Sequence, residues 1–324
     1  MLKFNKKKLF LVMLILSSIM VMSSSSWLSM WMGMEINLMM NIPFLFKNKS
    51  KTLSEKIMIY FLIQVMGSII MLTMILIKNM NFNQELSIMF ISMSMMIKLG
   101  LPPFHIWMPE MLNKLEWETM MVMISIQKIN PMIMLTQFMN QNMISMMIMI
   151  MAASIGSLGG INQLSLNKII AFSSINHMSW IIMLMLIMTN LWMKYFIVYT
   201  MINLTLCLTF KKMNTMYINQ LSVNTNLYSK MMLLLMMMNL GGFPPMPGFL
   251  LKWLTMEWMI SMNMKIIMTI MIFSSMITLL FYMRSMFSNT MMSTMNFKFK
   301  MIKFNKKMHL MFYLNMLTPM ILMI

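Results

Sequence analysis

Glu35, Lys98, Lys128 and Lys252 stand inside stretches that otherwise read as uninterrupted apolar helix. A lysine at the centre of a membrane-spanning helix costs about 2.5–3.5 kcal/mol on insertion scales, so three of them at depth point to use rather than drift. Amines and a carboxylate can do one kind of chemistry together without a cofactor, which is to pass protons. Burial disfavours the charged form of each group and an opposite charge nearby restores it, so a Glu–Lys pair exchanges protons when its separation changes. Glu35 is expected to pair with Lys98. Lys128 is expected to hand on to Lys252, with His177 and waters between, because imidazole is the side chain that changes charge near neutral pH. Glu35 lies about eight residues into its helix, Lys128 about nine and Lys98 about twelve, which at ~1.5 Å per residue is near a bilayer midplane.

Two of these lysines adjoin helix-breaking sequence: Lys98 precedes Leu99-Gly100-Leu101-Pro102-Pro103, and Lys252 follows Leu240-Gly241-Gly242-Phe243-Pro244-Pro245 and Pro247. A proline lacks the N–H that would bond the carbonyl four residues back. Pro102 and Pro103 are therefore expected to free the carbonyls of Lys98 and Leu99, and Pro244, Pro245 and Pro247 those of Leu240, Gly241 and Phe243. Such carbonyls at membrane depth must face protein or water, so the breaks imply local hydration beside the charges. Pro102 and Pro244 are 142 residues apart, close to half of the 324-residue chain. Five helices of offset place the two copies in opposite orientation, the arrangement of inverted repeats with interrupted helices.

Each residue has a plainer reading. Glu35 could cancel one lysine in a structural pair, Lys98 and Lys128 could snorkel toward an interface, and Lys252 could be an interface anchor. His105, just past the first break, either bonds a freed carbonyl or carries protons. His177, within Ser173-Ser174-Ile175-Asn176-His177, lies in a polar stripe that also suits interhelical hydrogen bonding.

The elements that must position these groups are membrane helices. Sixty per cent of the chain is hydrophobic and 10% charged, with apolar runs of about twenty residues almost end to end. Against seven acidic residues, all glutamate, stand 25 Lys and Arg, giving +18. The basic residues sit in short loops beside the spans and form no aromatic-interleaved domain, so nucleic acid is excluded as a partner. The 63 methionines exceed any packing requirement for this flexible apolar side chain. They read as codon bias of an AT-rich organelle genome. Cys207 reads as a buried bystander. The basic start before Leu9–Val21 lacks a small-residue cleavage site and reads as a retained first span.

Apolar runs predict eleven helices near 9–23, 27–46, 57–77, 86–108, 119–139, 143–161, 168–188, 191–210, 231–256, 264–284 and 308–324. With the three intramembrane lysines left out, alternate loops then carry nineteen basic residues on one side and three on the other. That asymmetry fixes the N-terminus on the positive side, and the odd count sets the C-terminus opposite. The expected fold is all-α and integral to the membrane, in two inverted five-helix repeats with broken helices. The first repeat covers 1–139 (break near 99–103) and the second 140–284 (break near 241–247). A basic loop and C-terminal helix occupy 285–324. No Gly-rich nucleotide loop, metal-ligand cluster or paired haem histidines occur, so redox chemistry is expected only in partners.

Several stretches resemble one family closely. These are Trp31-Met32-Gly33-Met34-Glu35-Ile36-Asn37, the run from Lys98 to Glu110, Gln127-Lys128-Ile129-Asn130-Pro131, Gly159-Gly160-Ile161-Asn162-Gln163, the run from Lys168 to Met178, and the run from Gly241 to Trp253. In order and across nearly the whole chain they are similar to the subunit 2 family among the antiporter-like subunits of mitochondrial NADH:ubiquinone oxidoreductase (respiratory complex I). The resemblance implies a proton-translocating subunit without a cofactor of its own, with NADH, FMN, Fe-S clusters and ubiquinone handled by partner subunits. It implies Glu35 and Lys98 as the gating pair, Lys128 as central relay and Lys252 serving the exit half. It further implies neighbours in the membrane arm of a large complex, lipid contact and the mitochondrial inner membrane, with the N-terminus in the matrix and the C-terminus in the intermembrane space. Asn130 and Asn176 depart from the small or apolar residues expected there. A stand-alone cation/proton antiporter, or a non-conducting structural subunit of the same arm, would carry many of the same features.

Overall fold

The computed structural model describes residues 6–46, 50–78, 84–138, 143–187, 190–223, 227–244 and 246–294. Among them the chain is almost entirely helical, with fourteen helices and no strand. Met and Leu lose little rotamer freedom in a helix, and a helix is the form in which a lipid-embedded backbone satisfies its own polar groups. Interior hydroxyls are satisfied locally: Ser17, Ser94, Ser173, Ser174, Ser179, Thr205 and Thr209 each donate to the carbonyl three residues back. The contacts divide the chain into two compact units, residues 1–142 and 143–324.

The first unit comprises α1 (Lys6–Ser23), α2 (Trp27–Leu45), α3 (Lys51–Lys78), α4 (Gln84–Leu99), α5 (Trp107–Leu112), α6 (Trp117–Ile124) and α7 (Ile126–Phe138). α1 packs on α2 and α7, α2 on α3, α3 on α4 and α5, and α4 on α7. Leu14, Phe44 and Val122 form an apolar cluster, with Phe10, Leu11, Met40 and Ile126 against it. The second unit comprises α8 (Met143–Gly160), α9 (Leu166–Ile187), α10 (Leu191–Met213), α11 (Ile218–Val223), α12 (Leu227–Gly241), α13 (Pro247–Ser261) and α14 (Lys265–Thr294). Its central helix is α9, buried over nearly all of its length and in contact with α8, α10, α13 and α14. α8 approaches it at Gly156, where an added Cβ would lie 2.7 Å from the Asn176 nitrogen.

Lys51–Lys78, Leu166–Ile187, Leu191–Met213 and Lys265–Phe287 are long and apolar enough to cross a membrane. Leu86–Leu99, Ser145–Gly160 and Lys230–Gly241 are shorter apolar helices. Helix boundaries differ from the sequence expectation in several places. The stretch 119–139 is two helices, because the chain leaves helical geometry at Ser125 (φ −102°, ψ −81°). The Ser125 hydroxyl donates back to the Met121 carbonyl, and Pro131 has no N–H for the carbonyl of Gln127. α3 begins at Lys51 rather than 57, and α14 runs past Arg284 to Thr294. Charged residues mark where apolar sequence stops, but they do not terminate a helix. The C-terminal helix expected over 308–324 and Pro245 lie outside the described residues.

Candidate functional site

The first break ends α4 with its backbone turned back on itself. Gly100 adopts φ +68°, and the N–H groups of Gly100 and Leu101 donate to the carbonyls of Ile97 and Met96. This is the glycine-terminated Schellman arrangement, which satisfies carbonyls of the last turn. Lys98 lies in that last turn, where the negative end of the helix dipole favours a cation. Its backbone carbonyl, which Pro102 cannot reach, accepts a hydrogen bond from Gln64 Nε2 on α3 at 3.1 Å. Its ammonium lies 3.8 Å from Glu35 Oε1 on α2. That is an ion pair too long for a direct hydrogen bond and of a length that water bridges. Lys98 is buried, whereas the Glu35 side chain keeps 21% of its surface exposed.

Lys128 occupies the first turn of α7, away from the helix end whose dipole would support its charge. It is buried, and its Nζ has no hydrogen-bond partner among the described residues. Lys98 and Lys128 line one cavity together with Tyr60, Gln64 and Gln127. An adjoining cavity is lined by Asn37, Tyr60, Gln64, Lys98, Gln127 and Asn130. Each is large enough to hold at least one water. Asn37, Gln127, Lys128 and Asn130 all keep a buried polar atom unpaired among the described residues, and an unmet group of that kind costs about 1–3 kcal/mol. Polar demand and free space coincide here. His105 lines neither cavity; it is half-buried between α4 and α5, its Nδ1 3.3 Å from the Pro103 carbonyl.

The second break repeats the first in its backbone. Gly242 adopts φ +75°, and the N–H groups of Gly242 and Phe243 donate to the carbonyls of Asn239 and Met238. Each partner lies 142 residues beyond its counterpart in the first break. The carbonyl of Gly241, which Pro245 cannot bond, accepts from the Lys252 ammonium at 2.7 Å. The Phe243 carbonyl, expected to be free, accepts from the N–H of Met246 instead. That tight turn forms because Pro247 opens α13 at its first position, the place where a missing N–H costs nothing. Asn239 Oδ1 accepts from the N–H of Gly248 and so ties the end of α12 to the start of α13. The Lys252 Nζ also lies 6.0 Å from the Trp180 ring centroid, within cation–π range.

A Cβ at Gly242 would meet Lys252 Cδ, Cε and Nζ at 3.0–3.1 Å, in a conformation that L side chains rarely adopt. Gly242→Ala is therefore expected to push the ammonium off the Gly241 carbonyl. It should cost about 1–2 kcal/mol from the left-handed conformation alone, read as faster proteolysis at the break in the assembled protein. His177, on α9, is 3.0 Å from the Tyr195 hydroxyl through Nδ1, and its ring centroid lies 4.8 Å from that of Tyr199 with the planes tilted by 41°. Beside it, Asn176 Oδ1 accepts from Ser274 on α14.

Thus the structure brings Lys98 and Lys128 to one polar cavity in the first unit, with Glu35 3.8 Å from the Lys98 ammonium. In the second, Lys252 sits on the broken end of α12 and His177 on the α9–α10 contact. The residues that sequence reasoning missed are carboxamides and aromatics: Asn37, Tyr60, Gln64 and Gln127 in the first unit, Trp180 and Asn239 in the second. Gln64 is the plainest signal, a lone carboxamide in the middle of an apolar run. No group of three or more His, Cys, Asp or Glu among the described residues could hold a metal ion.

The transmembrane family described as NADH:quinone oxidoreductase/Mrp antiporter matches residues 24–278, most of the chain. The chain belongs to this antiporter-like family. Within the family, the NADH-ubiquinone oxidoreductase chain 2 of Locusta migratoria is 36% identical over 98% of this chain and 95% of its own length. That of Anopheles gambiae is 37% identical over 88% and 86%. The same fold recurs in a chain of respiratory complex I from Thermus thermophilus, with a TM-score of 0.84 at 14% identity over 97% of this chain and 78% of that one. It recurs also in a chain of the Mrp complex from Dietzia sp. DQ12-45-1b, with a TM-score of 0.77 at 13% identity over 86% and 59%. The fold is thus shared with a chain of respiratory complex I and a chain of the Mrp complex.

Proposed function

We propose that the chain is the proton-translocating chain 2 subunit of a respiratory NADH:ubiquinone oxidoreductase, in the mitochondrial inner membrane. The reading places it in the membrane arm, with NADH, FMN, Fe-S clusters and ubiquinone bound by partner subunits. It comprises eleven membrane helices in two inverted repeats of five, 1–139 and 140–284, followed by 285–324 with a last helix. The N-terminus faces the matrix and the C-terminus the intermembrane space. The backbone likeness of the two breaks at a constant offset supports the repeat.

The observation that carries the functional reading is the cavity shared by Lys98 and Lys128, with Glu35 paired to the first of them. A proton held on the Lys98 ammonium is stabilised by the Glu35 carboxylate. When redox-driven movement in the complex lengthens that pair, the Lys98 ammonium gives its proton to a cavity water, and the water passes one on to the neutral amine of Lys128. Return of the pair draws a new proton to Lys98. His177 and Lys252 continue the relay in the second unit, and Lys252 serves the exit half. Gly100, Pro102 and Pro103, and Gly241, Gly242, Pro244, Pro245 and Pro247, keep the helices open where charge must be hydrated. His105 is a further proton carrier at the first break, where its imidazole already rests against a carbonyl.

The test is Lys128→Met in the intact complex, reconstituted in proteoliposomes. Methionine keeps the buried volume and removes the protonatable amine. Assembly is expected to be near normal, because the amine has no hydrogen-bond partner among the described residues to lose. Protons moved per NADH oxidised should fall by about one channel's share, and coupled turnover by at least about tenfold, the equivalent of 1.4 kcal/mol on the barrier. Unchanged stoichiometry and rate would refute the reading.

A further inference from the structure

Gln64 touches the backbone of the first break and lines both polar cavities. It stands one helical turn after Tyr60 on α3, so the two side chains share a face. Its Nε2 donates to the Lys98 carbonyl at 3.1 Å, and the side chain lines both cavities. Gly67, a further turn along α3, is what lets it reach. A Cβ there would lie 3.2 Å from Lys98 Cγ and 3.2 Å from the Ser94 carbonyl, so any larger residue would hold α3 away from α4. The Lys98 carbonyl lost its helical donor to Pro102 and has gained a side-chain donor from the neighbouring helix.

We propose that Gln64 is a positioning residue of the proton path. By bonding the Lys98 carbonyl across the break, it fixes where the last turn of α4 presents the Lys98 amine to Glu35 and to the cavity shared with Lys128. Without that bond the last turn loses its only lateral anchor to α3 among the described hydrogen bonds, and the Lys98 amine wanders relative to Glu35. The amide oxygen remains to accept from a cavity water. The proposal rests on the proton-relay reading of Lys98.

The test uses three variants in the reconstituted complex, each measured per assembled complex across pH. Lys98→Met tests the reading itself. Gln64→Met has the same length without a donor, and Gln64→Glu has the same shape with a donor only while its carboxyl is protonated. The titratable groups lining the cavities with Gln64 are Tyr60 on α3, Lys98 on α4 and Lys128 on α7, and Glu35 on α2 lies 3.8 Å from the Lys98 ammonium; the α5 residues of the cavity are Trp107, Met108 and Leu112, which do not titrate. Coupled turnover of Gln64→Met is expected to drop about tenfold at every pH, the cost of one buried hydrogen bond expressed as rate. Gln64→Glu should approach wild type on the acid side, where the introduced carboxyl donates to the Lys98 carbonyl. It should fall away as pH rises, because the ionised form cannot donate and competes with Glu35 for the ammonium.

Because an introduced carboxylate perturbs Lys98 and Lys128 whatever the role of Gln64, Gln64→Met separates the readings: a packing role alone would leave it, at the same length, with the wild-type turnover and pH profile. A wild-type profile in that variant, beside a strongly impaired Lys98→Met, overturns the proposal and leaves the relay reading standing. Wild-type turnover in Lys98→Met overturns both. Should Gln64→Met fail to assemble, Gln64→Leu, which also lacks a donor and adds no charge, takes its place in the same comparison.

Discussion

Replacing Lys98 by methionine in the assembled complex is expected to abolish this subunit's share of proton movement and to lower coupled NADH oxidation by at least about tenfold. Two effects combine. The amine proposed to take and give the proton is gone, and Glu35 loses the charge 3.8 Å away that compensates it. Removing one partner of a buried ion pair typically costs 3–5 kcal/mol; the partial exposure of Glu35 lowers that toward about 1–2 kcal/mol. A modest loss of assembly should therefore accompany the loss of pumping. The double variant Glu35→Gln with Lys98→Met separates the two, because it leaves no uncompensated charge. Assembly should recover while proton movement stays absent, measured as complex content on native gels beside protons moved per NADH. Recovery of pumping in the double variant would show that the pair is structural.

The largest structural effect is expected at Gly248. A Cβ there would lie 1.8 Å from the backbone oxygen of Asn239, a contact that a side-chain rotation cannot relieve. Gly248→Ala must drive the start of α13 away from the end of α12. It would thereby break the Asn239 cap on the Gly248 N–H and pull Lys252 from the Gly241 carbonyl. Overpacking of this kind costs about 1–3 kcal/mol or more, and the lost cap adds about 1 kcal/mol. Assembled complex should fall severalfold, and the little that forms should lose its turnover. The same substitution at Gly241, whose Cβ would find no atom closer than 3.4 Å, should be tolerated and serves as the control.

Both breaks were legible because glycine and proline act through the backbone, whatever surrounds them. Gly100 and Gly242 take left-handed conformations that other residues resist, and the prolines next to them remove donors. The candidate charges were legible for a similar reason, since an ionisable group in an apolar run stands out by its desolvation cost alone. The break at Ser125 was not, because a serine hydroxyl that bonds its own helix gives no sign in sequence of which bond it displaces. Gln64 and Asn37 do not stand out in sequence because a carboxamide carries no charge, and its meaning depends on which backbone group lies across from it. The rule of four residues predicts a free Phe243 carbonyl because it assumes that the helix continues; once the chain turns, the Met246 N–H reaches it instead.

The central claim is that Lys98 and Lys128 face one hydrated interior. Density for the intact complex at a resolution that shows waters tests it most directly. Ordered waters within hydrogen-bond distance of both Nζ atoms, forming an unbroken chain past Gln64 and Gln127, are the expected result. A dry cavity, with the Lys128 amine against apolar atoms and no water joining it to Lys98, would contradict it.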